Sequence, residues 1–381
     1  MAFISGPRQV GKTTLSKTLL SQAEGYFNWD IERSRRAILK NPSSFWGAST
    51  RIVLDEIHKY PRWKRFLKGL YDDVGKQIQI IVTGSGRLDV YQKGGDSLLG
   101  RYGLCRLHPF SVGELVRNGE DDFHEPDHLV DAILDHAKPA GADEALENIL
   151  RWSGFPEPLF AESSSRLNKW QIRHRDLILR EDLRDLSRIR DIGLIDAMIS
   201  LLPERIGSPL SVNSLRENLN VAFGTAQGWL KTLEHLYFLF EIRPFSGKLA
   251  RTLQREGKVY LFDFTVIENE GARFENMVAL HLKKAVDAWT VWGYGEFDLW
   301  YVRDKEKREA DFLITLHKKP FLLMECKLSG SEWSPHLLYF HERLRPKWSF
   351  QIVRNFPENL RKHKTPNVIQ ISADRFLARL P

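Results

Sequence analysis

Gly6-Pro7-Arg8-Gln9-Val10-Gly11-Lys12-Thr13 follows a short apolar stretch, Ala2–Ser5, and leads into a run of helical character, Thr13–Ala23. It satisfies G-x-x-x-x-G-K-[ST] at every fixed position. The order strand, glycine loop, helix gives the pattern its physical meaning. Gly6 and Gly11 permit backbone conformations and a close approach that a side chain would obstruct. Backbone N–H groups at the helix start point into the loop and favour negative charge there. The stretch therefore reads as a phosphate cradle spanning Gly6 to Thr13, with Thr14 beside it. Lys12 would reach the β- and γ-phosphates and the Thr13 hydroxyl would ligate Mg²⁺. The expected ligand is a nucleoside triphosphate, ATP with Mg²⁺; the competing reading is an ordinary glycine-containing strand–helix turn.

Working outward, Arg51–Asp55 with Glu56 (RIVLDE) puts two carboxylates at the end of a buried strand. Unpaired buried charge is costly, so the pair implies a partner. Asp55 would hold Mg²⁺, directly or through water, and Glu56 would orient or activate an attacking water; an N-cap role for Asp55 is the plain alternative. Thr83-Gly84-Ser85 ends a further strand, where Ser85 could reach the γ-phosphate or the attacking water. Arg101 follows Gly100 in LLGRYG and reads equally as a transition-state arginine or as a surface salt bridge.

The first third of the chain alternates such strands (Ala2–Ser5, Tyr26–Trp29, Arg51–Asp55, Ile78–Thr83) with helical stretches. Uninterrupted apolar strands alternating with helices predict an α/β domain with a parallel sheet covered on both faces. The predicted division is 1–125 for this core, 126–195 for a helical lid or linker, 196–265 for a small helical module, and 266–381 for a second α/β unit. In the linker, residues 168–190 carry charges of both signs at helical spacing, Asp176/Arg180 and Glu181/Arg184 among them, as a solvated helix does. In the module, Ser211 caps a helix through Leu219, a turn at Asn220–Phe223 leads to a helix Thr225–Tyr237, and two strands follow, Phe238–Ile242 and Lys258–Phe262. Leu215, Leu219, Val221, Trp229, Leu230 and Leu233 form its predicted core. Helix, turn, helix and a two-stranded wing describe a winged helix. Its second helix would expose Gln227, Lys231 and Thr232, a thin set for reading DNA, so a structural spacer stands beside DNA binding.

Composition sets bounds. The chain has 381 residues, enough for two or three domains, and its net charge of +7 permits nucleic-acid binding without demanding it. Two cysteines, Cys105 and Cys326, make no disulfide framework. No apolar run reaches the roughly 18 residues of a membrane span, and the first residues lack signal-peptide character, so a cytoplasmic location is expected.

In the last segment, a helix Ala272–Lys284 precedes strands Leu299–Val302, Ala310–Leu316 and Phe321–Lys327. A three-residue loop, His317 to Lys319, would pair Leu316 with Pro320 and set Asp311 opposite Glu325. Lys327 would share their face, with Glu275 nearby on the helix. Two close carboxylates repel unless a cation lies between them, so Asp311 and Glu325 are candidate ligands of a second divalent metal. A salt bridge from Lys327 to either is the alternative.

GPRQVGKTTL, LDEIHKYP, VTGSGR, LLGRYG and HPFSVGEL together resemble a family of prokaryotic AAA+-type ATPases of largely uncharacterised role, whose members carry a C-terminal domain of unknown function. LREDLRDLSRIRD, KVYLFDF, RFENMVALHL, READFLI and ECKLS echo that second half, so the resemblance covers nearly the whole chain. It implies an AAA+-like core, a winged-helix segment and a C-terminal fold similar to PD-(D/E)XK nucleases, with Asp311, Glu325 and Lys327 at that motif's positions and Arg101 as the family arginine near the nucleotide. It departs from the family in having only five residues before Gly6, which shortens the first strand. The function so implied is ATP hydrolysis coupled to a DNA-related task, in a chain that could form a homo-oligomer. A DNA-binding regulator switched by ATP, or an ATP-gated nuclease, are the alternatives.

Overall fold

The computed structural model describes residues 1–21, 23–75, 77–84, 98, 100–117, 125–135, 137–183, 191–246, 256–330 and 332–381. The chain divides into two compact units, residues 1–108 with 235–237, and 109–234 with 238–381. No helix among the described residues is long and apolar enough to cross a membrane.

In the first unit, strands β1 (Ala2–Ser5), β2 (Tyr26–Asn28), β3 (Arg51–Asp55), β4 (Gln79–Thr83) and β5 (Gly103–Arg106) form one sheet in the order β2-β3-β4-β1-β5. Every pairing is parallel. Alternate residues of the central strands face opposite ways. Phe3, Ile52, Leu54, Ile80 and Val82 pack with Leu67 and Leu70 of α3 (Trp63–Val74), whereas Ile4, Val53 and Ile81 pack against Leu20, Tyr26 and Leu107. Both faces are thus covered, which is why the strands read as unbroken apolar runs. Helix α1 (Lys12–Thr18) stops five residues short of the predicted end at Ala23. The fifth strand was not predicted, because only Leu104 of its four residues is apolar in the ordinary sense and none is fully buried. Helix α2 (Glu32–Lys40) follows β2. Since β4 lies between β1 and β3, and β5 lies beyond β1, the strand order reverses at β1. The carboxyl ends beside such a switch point are where open α/β sheets place their ligands.

The second unit begins with helices α4 (Val112–Val116), α5 (Pro126–Asp135), α6 (Ala142–Trp152), α7 (Pro156–Ala161) and α8 (Ser164–Leu177). Asp176 and Arg180 form an ion pair at 3.3 Å, and the predicted Glu181/Arg184 pair lies outside the described residues. Then come α9 (Ile192–Leu201), α10 (Val212–Leu219) and α11 (Phe223–His235). Ser211 caps α10 through the backbone N–H of Ser214. Leu215, Leu219, Trp229 and Leu233 are buried, whereas Val221 and Leu230 are half-buried.

An eight-stranded mixed sheet completes this unit, in the order β12-β13-β11-β10-β9-β8-β6-β7. It comprises β6 (Leu239–Pro244), β7 (Lys258–Leu261), β8 (Phe297–Arg303), β9 (Glu309–Leu316), β10 (Lys319–Lys327), β11 (Trp348–Val353), β12 (Leu360–Lys362) and β13 (Val368–Ser372). Helix α12 (Glu270–Val291) is buried on nearly every side, with Phe274, Met277, Val278, Leu282 and Trp289 in the core. Asn276 on this helix exchanges two hydrogen bonds of 2.8 Å with the backbone of Leu261 in β7. Helices α13 (Pro335–Leu344) and α14 (Ala373–Leu377) close the C-terminal part.

The β9–β10 hairpin differs from the three-residue loop expected. Lys319 pairs with Leu316, so His317 and Lys318 alone form the loop, and both have left-handed φ, 50° and 63°. Two such residues match the right-handed twist of the flanking strands. A register shift between Pro320 and Leu322 then makes up the missing residue. Met324 consequently pairs with Phe312, and Asp311 and Glu325 are the next step outward.

His281 on α12 is fully enclosed; its Nε2 accepts a hydrogen bond from Val112 N (3.1 Å), and its Nδ1 lies 2.8 Å from Met277 O. Burial pushes its pKa down to about 4, from an ordinary value near 6.5. Below about pH 6.5 the unfolded chain therefore binds a proton that the folded chain refuses, and this stabilising contribution fades until about pH 4. At pH 5 the loss relative to pH 7 is about 2 kcal/mol. Urea unfolding monitored for this unit at pH 7 and pH 5 should show that decrease in the wild type and a smaller one, by a similar amount, in His281→Gln.

Candidate functional site

The loop from Gly6 to Gly11 leaves the carboxyl end of β1 and enters α1. Gly6 has φ 146°, and a Cβ there would lie 2.2 Å from the carbonyl oxygen of Leu107. Only glycine fits both constraints. Gln9 (φ 61°) and Gly11 (φ 100°) are left-handed as well, which curls the loop. Gly11 then starts the helix, its carbonyl accepting from Leu15 N at 2.8 Å. The Lys12 ammonium turns back into the curl and donates to Gly6 O (2.9 Å) and Pro7 O (2.6 Å). A cation held against backbone at a helix N-terminus is an arrangement that suits an anion. Val10 is buried beneath the loop, and Pro7, Arg8 and Thr14 lie along it.

Asp55 is the hub beside it. Its carboxylate is 3% exposed yet fully engaged. Oδ2 accepts from Thr13 Oγ1 (3.0 Å), Tyr26 OH (2.6 Å) and Asn28 Nδ2 (3.4 Å), while Oδ1 accepts from Thr83 Oγ1. Residues from α1, β2 and β4 thus converge on the end of β3. Burial and the bond to Asp55 push the Tyr26 hydroxyl up to about 12, so it remains a donor. Sequence reasoning singled out Asp55 and Thr13 but missed Tyr26 and Asn28. Their only signal was polar groups at the end of the second strand, YFN.

Glu56 carries φ 56°, a left-handed conformation. Its N–H is fixed by Thr83 O at 3.0 Å. One carboxylate oxygen faces His58 Nε2 (3.4 Å) and Lys59 Nζ (3.8 Å), and Lys59 is held in turn by Asp30 at 2.5 Å. Burial raises the Glu56 pKa against the lowering influence of Lys59, making the carboxylate a better base than an exposed one.

Arg101 stands elsewhere. Gly103 pairs with Ala2, and the Met1 ammonium donates to Arg101 O at 3.0 Å. Arg101 therefore sits past the amino end of β1, roughly 13 Å of strand rise from the phosphate loop at its other end. Its guanidinium is forked onto Asp72 of α3, at 2.7 and 3.3 Å. Ser85 lies outside the described residues.

The second unit has its own charged cluster. Lys258 of β7, wholly buried, contacts Glu275 (3.1 Å), Glu309 (2.6 Å) and Asp311 (3.8 Å). Burial works against its charge, but the three carboxylates outweigh that and the net shift is upward. Glu275 is raised to about 7 by burial and by Asp311, against the pull of Lys258. Lys327 pairs with Glu325 at 2.8 Å. Asp311, Glu325, Lys327 and Glu275 thus fall in one region, yet no group of three or more His, Cys, Asp or Glu among the described residues is placed to hold a metal ion.

Residues 1–116 match the family model of an AAA domain. The parallel sheet and the loop geometry of this part agree with that match. Residues 143–268 and 270–373 match two domains of unknown function (DUF8612 and DUF4143). Uncharacterized proteins of Mycobacterium tuberculosis and Mycobacterium bovis are each 22% identical over 331 residues, 84% of this chain and 69% of theirs. An uncharacterized protein of Methanocaldococcus jannaschii is 26% identical over 295 residues, 68% of this chain and 60% of its own. Among solved structures, the Aeropyrum pernix Orc1 protein in complex with DNA aligns over 73% of this chain and 86% of its own, at 14% identity and a TM-score of 0.33. Likeness of that degree supports no inference.

Lys12 donates to two loop carbonyls and belongs to no hydrophobic core. Lys12→Ala should therefore abolish tight ATP binding in a calorimetric titration while the circular dichroism and melting of the protein stay near wild type. Wild-type affinity in the variant would remove the loop from the nucleotide site.

Proposed function

We propose that the chain binds ATP with Mg²⁺ and hydrolyses it, and that this turnover serves a DNA-related task. The observation that carries the reading is the convergence on Asp55, 3.0 Å from the Thr13 hydroxyl and beside the cradle that Lys12 fills. Thr13 and Asp55 offer only oxygen donors, the set a hard cation takes. Bound Mg²⁺ would neutralise charge on the phosphates. The chain's own residues do the rest. Loop N–H groups and Lys12 hold the β- and γ-phosphates. Thr83, Tyr26 and Asn28 keep the Asp55 carboxylate oriented. Glu56 takes the proton of a water that attacks the γ-phosphorus as the bond to the ADP oxygen breaks, and its burial suits it to that work.

Arg101 is too far along the sheet to reach the nucleotide of its own protomer. The role that fits its position is action on a neighbouring protomer, which makes the active form a homo-oligomer and the Asp72 pair the resting state of the arginine. A surface pair of this kind is weak and readily exchanged.

The DNA-related part rests on the order α10, turn, α11, β6, β7, which is that of a winged helix, and on the net charge of +7. Gln227 and Lys231 are exposed on α11 and Thr232 is half-exposed. A cavity of about 370 Å³ between α11 and β6–β7 mixes Glu234, Glu241 and Glu256 with Lys231 and Arg243. Such a surface offers little to read bases with, so duplex DNA is expected to act through its phosphates as an effector of turnover. The C-terminal fold is read as similar to PD-(D/E)XK nucleases in scaffold.

Glu56→Gln should retain ATP affinity and lose roughly 10²–10⁴ in turnover, the range of a removed general base. Binding by calorimetry beside phosphate release separates the two effects; lost affinity with unchanged turnover per bound nucleotide would make Glu56 structural. Arg101→Ala should lose on the order of 10³ in rate. Mixing it with an excess of Lys12→Ala, which cannot bind ATP but keeps Arg101, should restore activity. No recovery on mixing, or full activity of strict monomers, would rule out action in trans.

A further inference from the structure

The carboxylates of the C-terminal unit can be followed oxygen by oxygen. Glu275 Oε1 accepts from Tyr260 OH (2.7 Å) and Lys258 Nζ (3.1 Å). Glu309 Oε1 faces Lys258 (2.6 Å) and Oε2 accepts from Arg303 (3.2 Å). Asp311 Oδ1 lies 3.8 Å from Lys258, and Oδ2 accepts from the backbone N–H of Cys326 (2.8 Å). Glu325 Oε1 faces Lys327 (2.8 Å) and Oε2 accepts from Ser334 Oγ (2.7 Å). Seven of the eight oxygens thus have an N–H or O–H group or an ammonium turned toward them. The eighth, Glu275 Oε2, lies against Gly207, 3.2 Å from where a Cβ on that residue would stand.

A divalent cation needs oxygen lone pairs from several ligands at once. Here those lone pairs are directed at hydrogen, and the ammonium at the centre comes from β7, outside the β9–β10 hairpin altogether. We propose that Lys258 is the resident cation of this cluster, filling by covalent attachment the place that a divalent metal would otherwise take between Glu275, Glu309 and Asp311. The consequence is twofold. Divalent ions act on this protein at the nucleotide and not at the carboxylates of the second unit. The ammonium is also a lock, joining the strand pair β6–β7 to helix α12 and strand β9 through charge. The loop before Ser334 completes the closure. Gln351 Oε1 accepts from Ser334 N and its Nε2 donates to Glu332 O, each at 2.9 Å, while Gln370 Nε2 donates to Gly330 O at 3.1 Å. Residues 330 and 332–334 are thus bound to β11 and β13, and Ser334 also to Glu325 on the neighbouring β10. This inference is independent of ATP hydrolysis and stands or falls apart from it.

The test is Mn²⁺ binding to the nucleotide-free full chain, read from the free-ion electron paramagnetic resonance signal, with Asp55→Asn used to identify ions held in the ATPase domain. The wild type should bind no Mn²⁺ that Asp311→Asn removes. Lys258→Ala should gain one equivalent, and Lys258→Ala with Asp311→Asn should lose it again. An equivalent in the wild type that disappears in Asp311→Asn overturns the proposal. So does a folded Lys258→Ala protein that binds no more than the wild type. If Lys258→Ala fails to fold, the wild-type and Asp311→Asn titrations decide the matter by themselves.

Discussion

The first unit depends on one buried carboxylate. Asp55 is at the end of β3, enclosed, and approached by hydroxyls from α1, β2 and β4 and by an amide from β2. An ionised group so placed is tolerable only when its lone pairs are satisfied, and removing any donor leaves a penalty of roughly 1–3 kcal/mol. The parallel sheet delivers these donors because adjacent strands end in register: Asn28 pairs with Asp55, and Asp55 with Thr83. Strand order and register together bring these groups to one point. Glu56, one residue on, has a left-handed backbone, and its carboxylate faces His58 and Lys59.

Much of this was legible in the sequence because it is local. The loop motif is contiguous, and strands buried on both faces announce themselves as apolar runs. The parts that were not legible lie in tertiary contacts or in weak patterns. Strand β5 has no apolar run to reveal it. Tyr26 and Asn28 look like ordinary strand residues until β2 is set beside β3. Arg101 reads equally as a transition-state arginine or a surface salt bridge, and only the pairing of Gly103 with Ala2 places it at the far end of the sheet.

The second unit shows the same division. The β9–β10 hairpin was recognisable from two apolar runs, but its two-residue loop and its bulge offset each other. Counting with a three-residue loop reached the right neighbours by the wrong path. Lys258 carries no local sign of its importance, since KVYL reads as one more buried strand. Its charge can be understood only with Glu275, Glu309 and Asp311 around it, contributed by positions 17 to 53 residues further along the chain. Breaking a buried pair by removing one partner is costly, on the order of 3–5 kcal/mol, which explains how a lysine persists at zero exposure.

ATP turnover in the N-terminal unit, as distinct from binding alone, is open to measurement. Steady-state phosphate release from Mg-ATP by the full chain, with and without duplex DNA, addresses it most directly. Saturable turnover, stimulated by duplex DNA, is expected. Intact ATP affinity with no phosphate release under either condition would contradict it, and would leave a nucleotide-switched binding protein in its place.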